Sequence, residues 1–118
     1  LNLSYKVGNL VSPSRKEEGT MLEVAEFRIR PGEQAAFEEA IERALRTITA
    51  KAAGMKGYRF LKGFESAERY ILQVTWEKLE DHMVTYRQSP ERDQWRAIVS
   101  PFYAQPPLME HLTLLAQS

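Results

Sequence analysis

Three observations predict an α+β fold. Apolar runs near Met21 and near the C-terminus read as strands, and two further apolar runs flank the polar tetrapeptide Glu65-Ser66-Ala67-Glu68 as a hairpin. Two intervening stretches carry apolar residues at helical spacing. The resulting order, β-α-β-β-α-β, is that of the ferredoxin-like split-βαβ sandwich, one antiparallel sheet with its helices on one face.

At 118 residues the chain fits one domain. A domain near this size buries roughly 65–70% of the surface its unfolded chain exposes, enough for a true core. Sixteen basic and sixteen acidic residues leave no net charge, and neither sign gathers into a block. Nucleic acid and anionic membrane are therefore excluded as main partners. There is no cysteine, hence no disulfide framework and no thiolate metal site. No apolar run approaches a bilayer span and no signal-peptide pattern opens the chain, so a cytoplasmic location is expected.

Residues 1–20 contain Pro13, Gly19 and several charges and are expected to form an N-terminal arm or linker ahead of a domain over 21–118. A mobile tail and an arm folded onto the body are the two alternatives. Met21 to Arg30 reads as a strand, with Ala25, Phe27 and Ile29 alternating against Glu26, Arg28 and Arg30. Pro31-Gly32 breaks it. Phe37, Ala40, Ile41, Ala44, Leu45 and Ile48 then mark one face of a helix, and Glu39/Arg43 and Glu42/Arg46 can pair on its wet side. Gly54 suits the exit from that helix. Gly57–Phe64 and Arg69–Trp76 are the hairpin strands. In the next stretch Leu79, His82, Met83 and Tyr86 share a helical face, Ser89-Pro90 supplies an N-cap and first helical residue, and Trp95, Ile98, Val99 and Phe102 continue the stripe. Leu108 to Leu115 is the last strand.

Both parities of several strands are apolar: Leu22 and Val24 against Phe27 and Ile29, for example, and Tyr70, Leu72 and Val74 against Ile71. A sheet wet on one side alternates more cleanly. Helices cover only one face, so the other is expected to pack against the same face of a second chain, giving a two-fold homodimer.

The order strand-Trp-helix-His-Ser-Pro-helix-Trp, from Arg69 through Trp76, His82 and Ser89-Pro90 to Trp95 and on into PFYAQPPLMEH, resembles the antibiotic biosynthesis monooxygenase family. The resemblance runs from about Met21 to the C-terminus. It implies a dimeric α+β barrel and three destinations. The first is cofactor-independent oxygenation of a phenol, quinol or anthrone-like substrate with O₂, in which the protein stabilises the deprotonated substrate. The second is a small-molecule-binding or stress-response dimer without turnover. The third is haem degradation, a poorer match, because Trp95 stands near where that branch expects a His and no Asn occurs between Met21 and Arg30.

His82 is the sharpest catalytic candidate, since imidazole takes up a proton near pH 7. The alternative is a core histidine bonded to a carbonyl or to Tyr. Trp76 and Arg96 are the candidate hydrogen-bond donors to a ligand oxygen or developing oxyanion. In the polyketide-tailoring branch the resemblance implies the same residue types at Trp76 and Arg96, Tyr in place of His82, and Asn in place of Leu72. Leu72, Tyr86, Trp95 and Phe102 are expected to line the substrate site, with Tyr58, Tyr70 and Tyr103 as further phenols. His111, on the parity of Met109, is assigned to the dimer face. Two histidines in different elements make a poor metal set, and Glu80 and Asp81, being adjacent, diverge on their helix. No phosphate loop or nucleophile elbow is present, so neither metal nor nucleotide cofactor is expected.

Overall fold

The computed structural model describes residues 21–118; the expected arm over 1–20 lies outside them. The elements are β1 (Met21–Arg28), α1 (Gln34–Thr47), β2 (Met55–Lys62), β3 (Arg69–Trp76), a π-helical turn (Asp81–Tyr86), α2 (Pro90–Val99) and β4 (Leu108–Leu112), with single 3₁₀ turns at Thr49–Lys51 and Ser100–Phe102. The four strands form one antiparallel sheet in the order β2-β3-β1-β4. This is the ferredoxin-like α+β arrangement that the chain order predicts.

Period-two alternation builds the sheet. On β1 the residues Glu23, Ala25 and Phe27 turn inward, followed by Ile29, and on β3 Tyr70, Leu72, Val74 and Trp76 do the same. The central pair runs in register from Met21↔Trp76 to Arg28↔Arg69. The α1 stripe predicted from spacing is buried against that face, Phe37 and Ile41 completely. Phe37 is the hub: Phe27, Phe60, Tyr70 and Phe102 have ring centroids 5.0–6.1 Å from it. Such tilted and edge-on contacts add to the area term. The pairs Glu39/Arg43 and Glu42/Arg46 do not close; instead Glu38 accepts Lys62 Nζ at 2.8 Å and the Tyr70 hydroxyl at 2.6 Å, tying α1 to β2 and β3.

Several element ends differ from expectation. β2 starts and stops two residues early, because Gly63 N–H donates to the Arg69 carbonyl at 2.8 Å and closes the hairpin, leaving Phe64 fully in solvent. β1 ends at Arg28, beyond which Ile29 donates its N–H to the Glu68 carbonyl at 2.9 Å and makes an isolated bridge to Tyr103. β4 ends at Leu112 rather than Leu115: Leu112 already stands opposite Leu22, one residue from the start of β1.

The largest departure follows Trp76. Lys78 N–H donates to the Asp81 carboxylate at 3.0 Å and Asp81 N–H to the Lys78 carbonyl, so the chain turns helical at Leu79 and passes into a π-helical turn at Asp81. Leu79, the first helical residue, is 43% exposed, not on the core face. The turn is π-helical, with Arg87 N–H bonding the His82 carbonyl five residues back. Gly54 fixes its position from below. That residue has φ +82°, its carbonyl accepts Glu77 N–H at 2.7 Å, and a Cβ there would collide with the Asp81 carboxylate. Ser89 does occupy the N-cap of α2 with Pro90 first in the helix, but its hydroxyl donates backward to the Tyr86 carbonyl at 2.6 Å.

The sheet face away from the helices carries Leu22, Val24 and Ile71, half-buried, with Leu61, Leu108 and Leu112 exposed.

Candidate functional site

The helices do not fill the space above the sheet. Between β1, β3, the π-helical turn, α2 and the Ala104–Pro107 connection lies a cavity of about 700 Å³, within the range of roughly 300–1,000 Å³ that small-molecule sites occupy. Its floor is Ala25, Phe27, Leu72 and Val74, and its walls include Trp76, Tyr86, Trp95 and Tyr103. Of the residues singled out from sequence, Leu72, Trp76, His82, Tyr86, Trp95 and Arg96 all line this one space. Phe102 does not. It faces the other way and packs edge-on against Phe37 at 5.9 Å, because the 3₁₀ turn Ser100–Phe102 rotates it off the α2 face.

At the inner end, four side chains form a connected set. Register places Glu23 beside both Trp76's strand and His111 of β4. The Trp76 indole N–H donates to Glu23 Oε1 at 2.8 Å. The same oxygen lies 3.4 Å from His82 Nε2, and His82 Nδ1 lies 2.8 Å from His111 Nε2. His82 stacks on Trp76, with ring centroids 5.3 Å apart. Glu23 is 6% and His82 3% exposed, while His111 is half-buried at the edge strand. The set thus runs from the cavity wall toward solvent.

The proton positions follow from this geometry. One nitrogen of the His82–His111 pair must donate and the other accept. With Glu23 ionised, His82 keeps its proton on Nε2, facing the carboxylate, and Nδ1 accepts from His111 Nε2–H. If instead His82 donates from Nδ1, its Nε2 lone pair faces Glu23, which then has to carry a proton. A proton arriving on Glu23 therefore has a two-imidazole route outward.

Burial sets the charge states. It raises the Glu23 carboxyl above its ordinary range, against the lowering effects of the Trp76 hydrogen bond and of Arg87. Burial likewise pushes His82 down to about 4, helped by His111, Arg87 and Arg92. His111 is lowered too, by burial and then Arg87. Both imidazoles are accordingly neutral near pH 7. Tyr103 is pushed up to about 12 by burial, offset by the Trp95 indole and Arg96. Burial and the Glu23 and Glu91 charges raise Tyr86 further.

Three assignments change. His111 belongs to the helix-facing side of the sheet, opposite Glu23, and not to the outer face. The Trp76 N–H is already committed to Glu23 rather than free for a ligand. Tyr70 is a core residue bound to Glu38, away from the cavity. Sequence reasoning missed Glu23, Arg87 and Arg92. A signal for Glu23 existed: it shares the parity of Ala25, Phe27 and Ile29, so it is an acid on a buried face. Among the described residues no three His, Asp or Glu side chains converge as a metal-binding group, and no helix is long and apolar enough to cross a membrane.

A ferredoxin-like sheet with an aromatic cavity between sheet and helices defines an α+β domain with room for a small molecule. Residues 20–98 match the model of the antibiotic biosynthesis monooxygenase family, and the chain belongs to that family. The uncharacterized protein YczJ of Bacillus subtilis is 38% identical over 92 residues, which span 75% of this chain and 93% of YczJ. A crystal structure from Bordetella bronchiseptica, named as a candidate antibiotic biosynthesis monooxygenase, superposes with TM-score 0.78 at 33% identity, covering 83% of this chain and 99% of that one. A similarly named protein from Nitrosomonas europaea shares the fold, with TM-score 0.72 at 15% identity over 82% of this chain and 91% of its own.

Proposed function

We propose that the protein is a cofactor-independent monooxygenase acting on a small phenol, quinol or anthrone-like substrate. The observation that carries this reading is a buried carboxylate and imidazole, Glu23 and His82, side by side on the wall of an aromatic-lined cavity. Deprotonation makes such a substrate electron-rich enough to reduce O₂ itself. For an anthrone, the carbanion forms a C–O bond to oxygen, giving a hydroperoxide. Loss of the second C–H proton then breaks the O–O bond and releases water, leaving a quinone carbonyl. One substrate CH₂ and one O₂ become C=O and H₂O, with every electron supplied by the substrate.

In this reading His82 does not act alone as the base, since both its nitrogens have partners. Glu23 takes the proton at the cavity wall, and His82 with His111 passes it toward solvent. Arg96 steadies the oxyanion, and Leu72, Tyr86 and Trp95 hold the ring system. Trp76 orients Glu23 through its N–H. The apolar outer face of the sheet packs on a second copy, making a homodimer.

Oxygen consumption with metal-free protein and a panel of anthrones and quinols tests the chemistry. Uptake by the wild type that falls at least about a hundredfold in Glu23→Gln and His82→Asn is expected. A second reading, a binding protein without turnover, is favoured by the committed hydrogen bonds of His82 and Trp76. Binding of the same compounds with no uptake by any variant would establish it.

A further inference from the structure

The proposed chemistry uses one guanidinium, Arg96, yet the cavity wall carries three, Arg87, Arg92 and Arg96, against the single carboxylate of Glu23. Among the described residues none of the three forms an ion pair; the carboxylate partners go to Arg28, Arg30, Lys62, Arg69 and His82. The chain as a whole is neutral, so this cavity concentrates positive charge that the rest of the molecule does not have. Local structure explains how. Arg87 caps the π-helical turn, and Arg92 sits in the first turn of α2, its N–H bonded to the Ser89 carbonyl at 3.2 Å. The Ser89-Pro90 break between the two helical segments thus brings both side chains to one wall. Their field reaches the inner end, where Arg87 acts on Glu23, His82 and His111, and Arg92 on His82 and Tyr86.

We infer that the ligand of this cavity is a planar aromatic acid, whose carboxylate is held by Arg87 and Arg92 while its hydroxyl or acidic C–H meets Glu23. The inference rests on the proposed function for the second half of that statement only. Two guanidinium forks suit a carboxylate, which each can meet with paired N–H donors, and apolar walls strengthen the attraction relative to open water. The acid also sets direction. Glu23 repels a carboxylate, so the ligand enters with its anionic end toward the arginines and its reactive end toward the Glu23–His82 pair.

Calorimetric binding of 9-anthracenecarboxylate and its neutral counterpart 9-anthracenemethanol, on the full chain, tests this. The acid should bind about tenfold or more tightly than the alcohol, and that preference should shrink as salt rises. Arg87→Gln and Arg92→Gln should each reduce the preference, and the double variant should bring the two affinities to within about twofold. Binding of the alcohol should fall far less than that of the acid, and far-ultraviolet circular dichroism with thermal unfolding checks that each variant folds. Equal affinity of the two probes in the wild type, a preference that survives the double substitution, or binding of neither probe overturns the inference. Oxygen uptake with a hydroxyanthrone separates it from the function: acid preference without uptake leaves this inference standing and removes the oxygenase, whereas uptake without acid preference does the reverse.

Discussion

The His82 imidazole lies over the Trp76 indole, with the ring planes 18° from parallel. Trp76 ends β3 and His82, second residue of the π-helical turn, follows six residues later, so the stack closes the loop that joins sheet to helix. That same indole donates to Glu23 at 2.8 Å, and the imidazole stands 3.4 Å from the acceptor oxygen. Packing and the hydrogen-bonded set around Glu23 are therefore carried by the same two rings.

Stability should depend on pH through His82. Its folded value of about 4 lies below the ordinary 6.5, so between those values the unfolded chain binds the extra proton. Stability should rise with pH across this window and level off above it, by up to about 2–3 kcal/mol. His111, also lowered, acts in the same direction. Denaturant unfolding from pH 4 to pH 7 measures the slope, which His82→Phe should largely flatten.

Glu23 works with the opposite sign. Its carboxyl is raised by burial, so its contribution is favourable below the ordinary 4.5 and is lost as pH rises through the folded value. Glu23→Gln keeps an acceptor for Trp76 and should unfold at higher denaturant than the parent at pH 8, with the difference closing toward pH 4. A parent that remains more stable at pH 8 would contradict the desolvation account.

Phe102→Ala should cost about 2–3 kcal/mol through its contact with Phe37 while leaving aromatic-ligand affinity within about twofold. Trp95→Ala, on the cavity wall, should weaken that binding at least about tenfold. Thermal unfolding and calorimetry on both variants separate the two roles.

Gly54→Ala should destabilise by about 2 kcal/mol or more, combining φ +82° with the collision at the Asp81 carboxylate. Asp81→Ala in the same chain should recover only the collision. A double-mutant cycle in urea reads the difference.

Leu112→Glu places a charge on the exposed apolar face of the sheet, opposite Leu22. Light scattering at micromolar concentration should show the mass of two chains for the parent and one for the variant, without loss of helical signal.

Much of the fold was legible because it is written in local period. β3 lies where the apolar run Arg69–Trp76 places it, and every residue of the α1 stripe from Phe37 to Leu45 is buried. The site was legible as a neighbourhood, not as a set of contacts. The partnership of Glu23 with His111 depends on β1 and β4 pairing across the chain, which no local pattern encodes. Apolar residues on both parities of β4 hid which way His111 faces. The register of the π-helical turn was invisible for another reason: spacing arguments assume 3.6 residues per turn, and Leu79 was placed inward on that assumption.

The chain contains two tryptophans, and both stand on the wall of the cavity. Emission excited where tryptophan absorbs and tyrosine does not is consequently a signal from that one space. A change in colour or brightness on titration reads the Glu23 charge through the Trp76 indole, and a change on adding a compound reports that the compound has gone in. An optical reporter for screening unknown substrates is thus already in place, without any label.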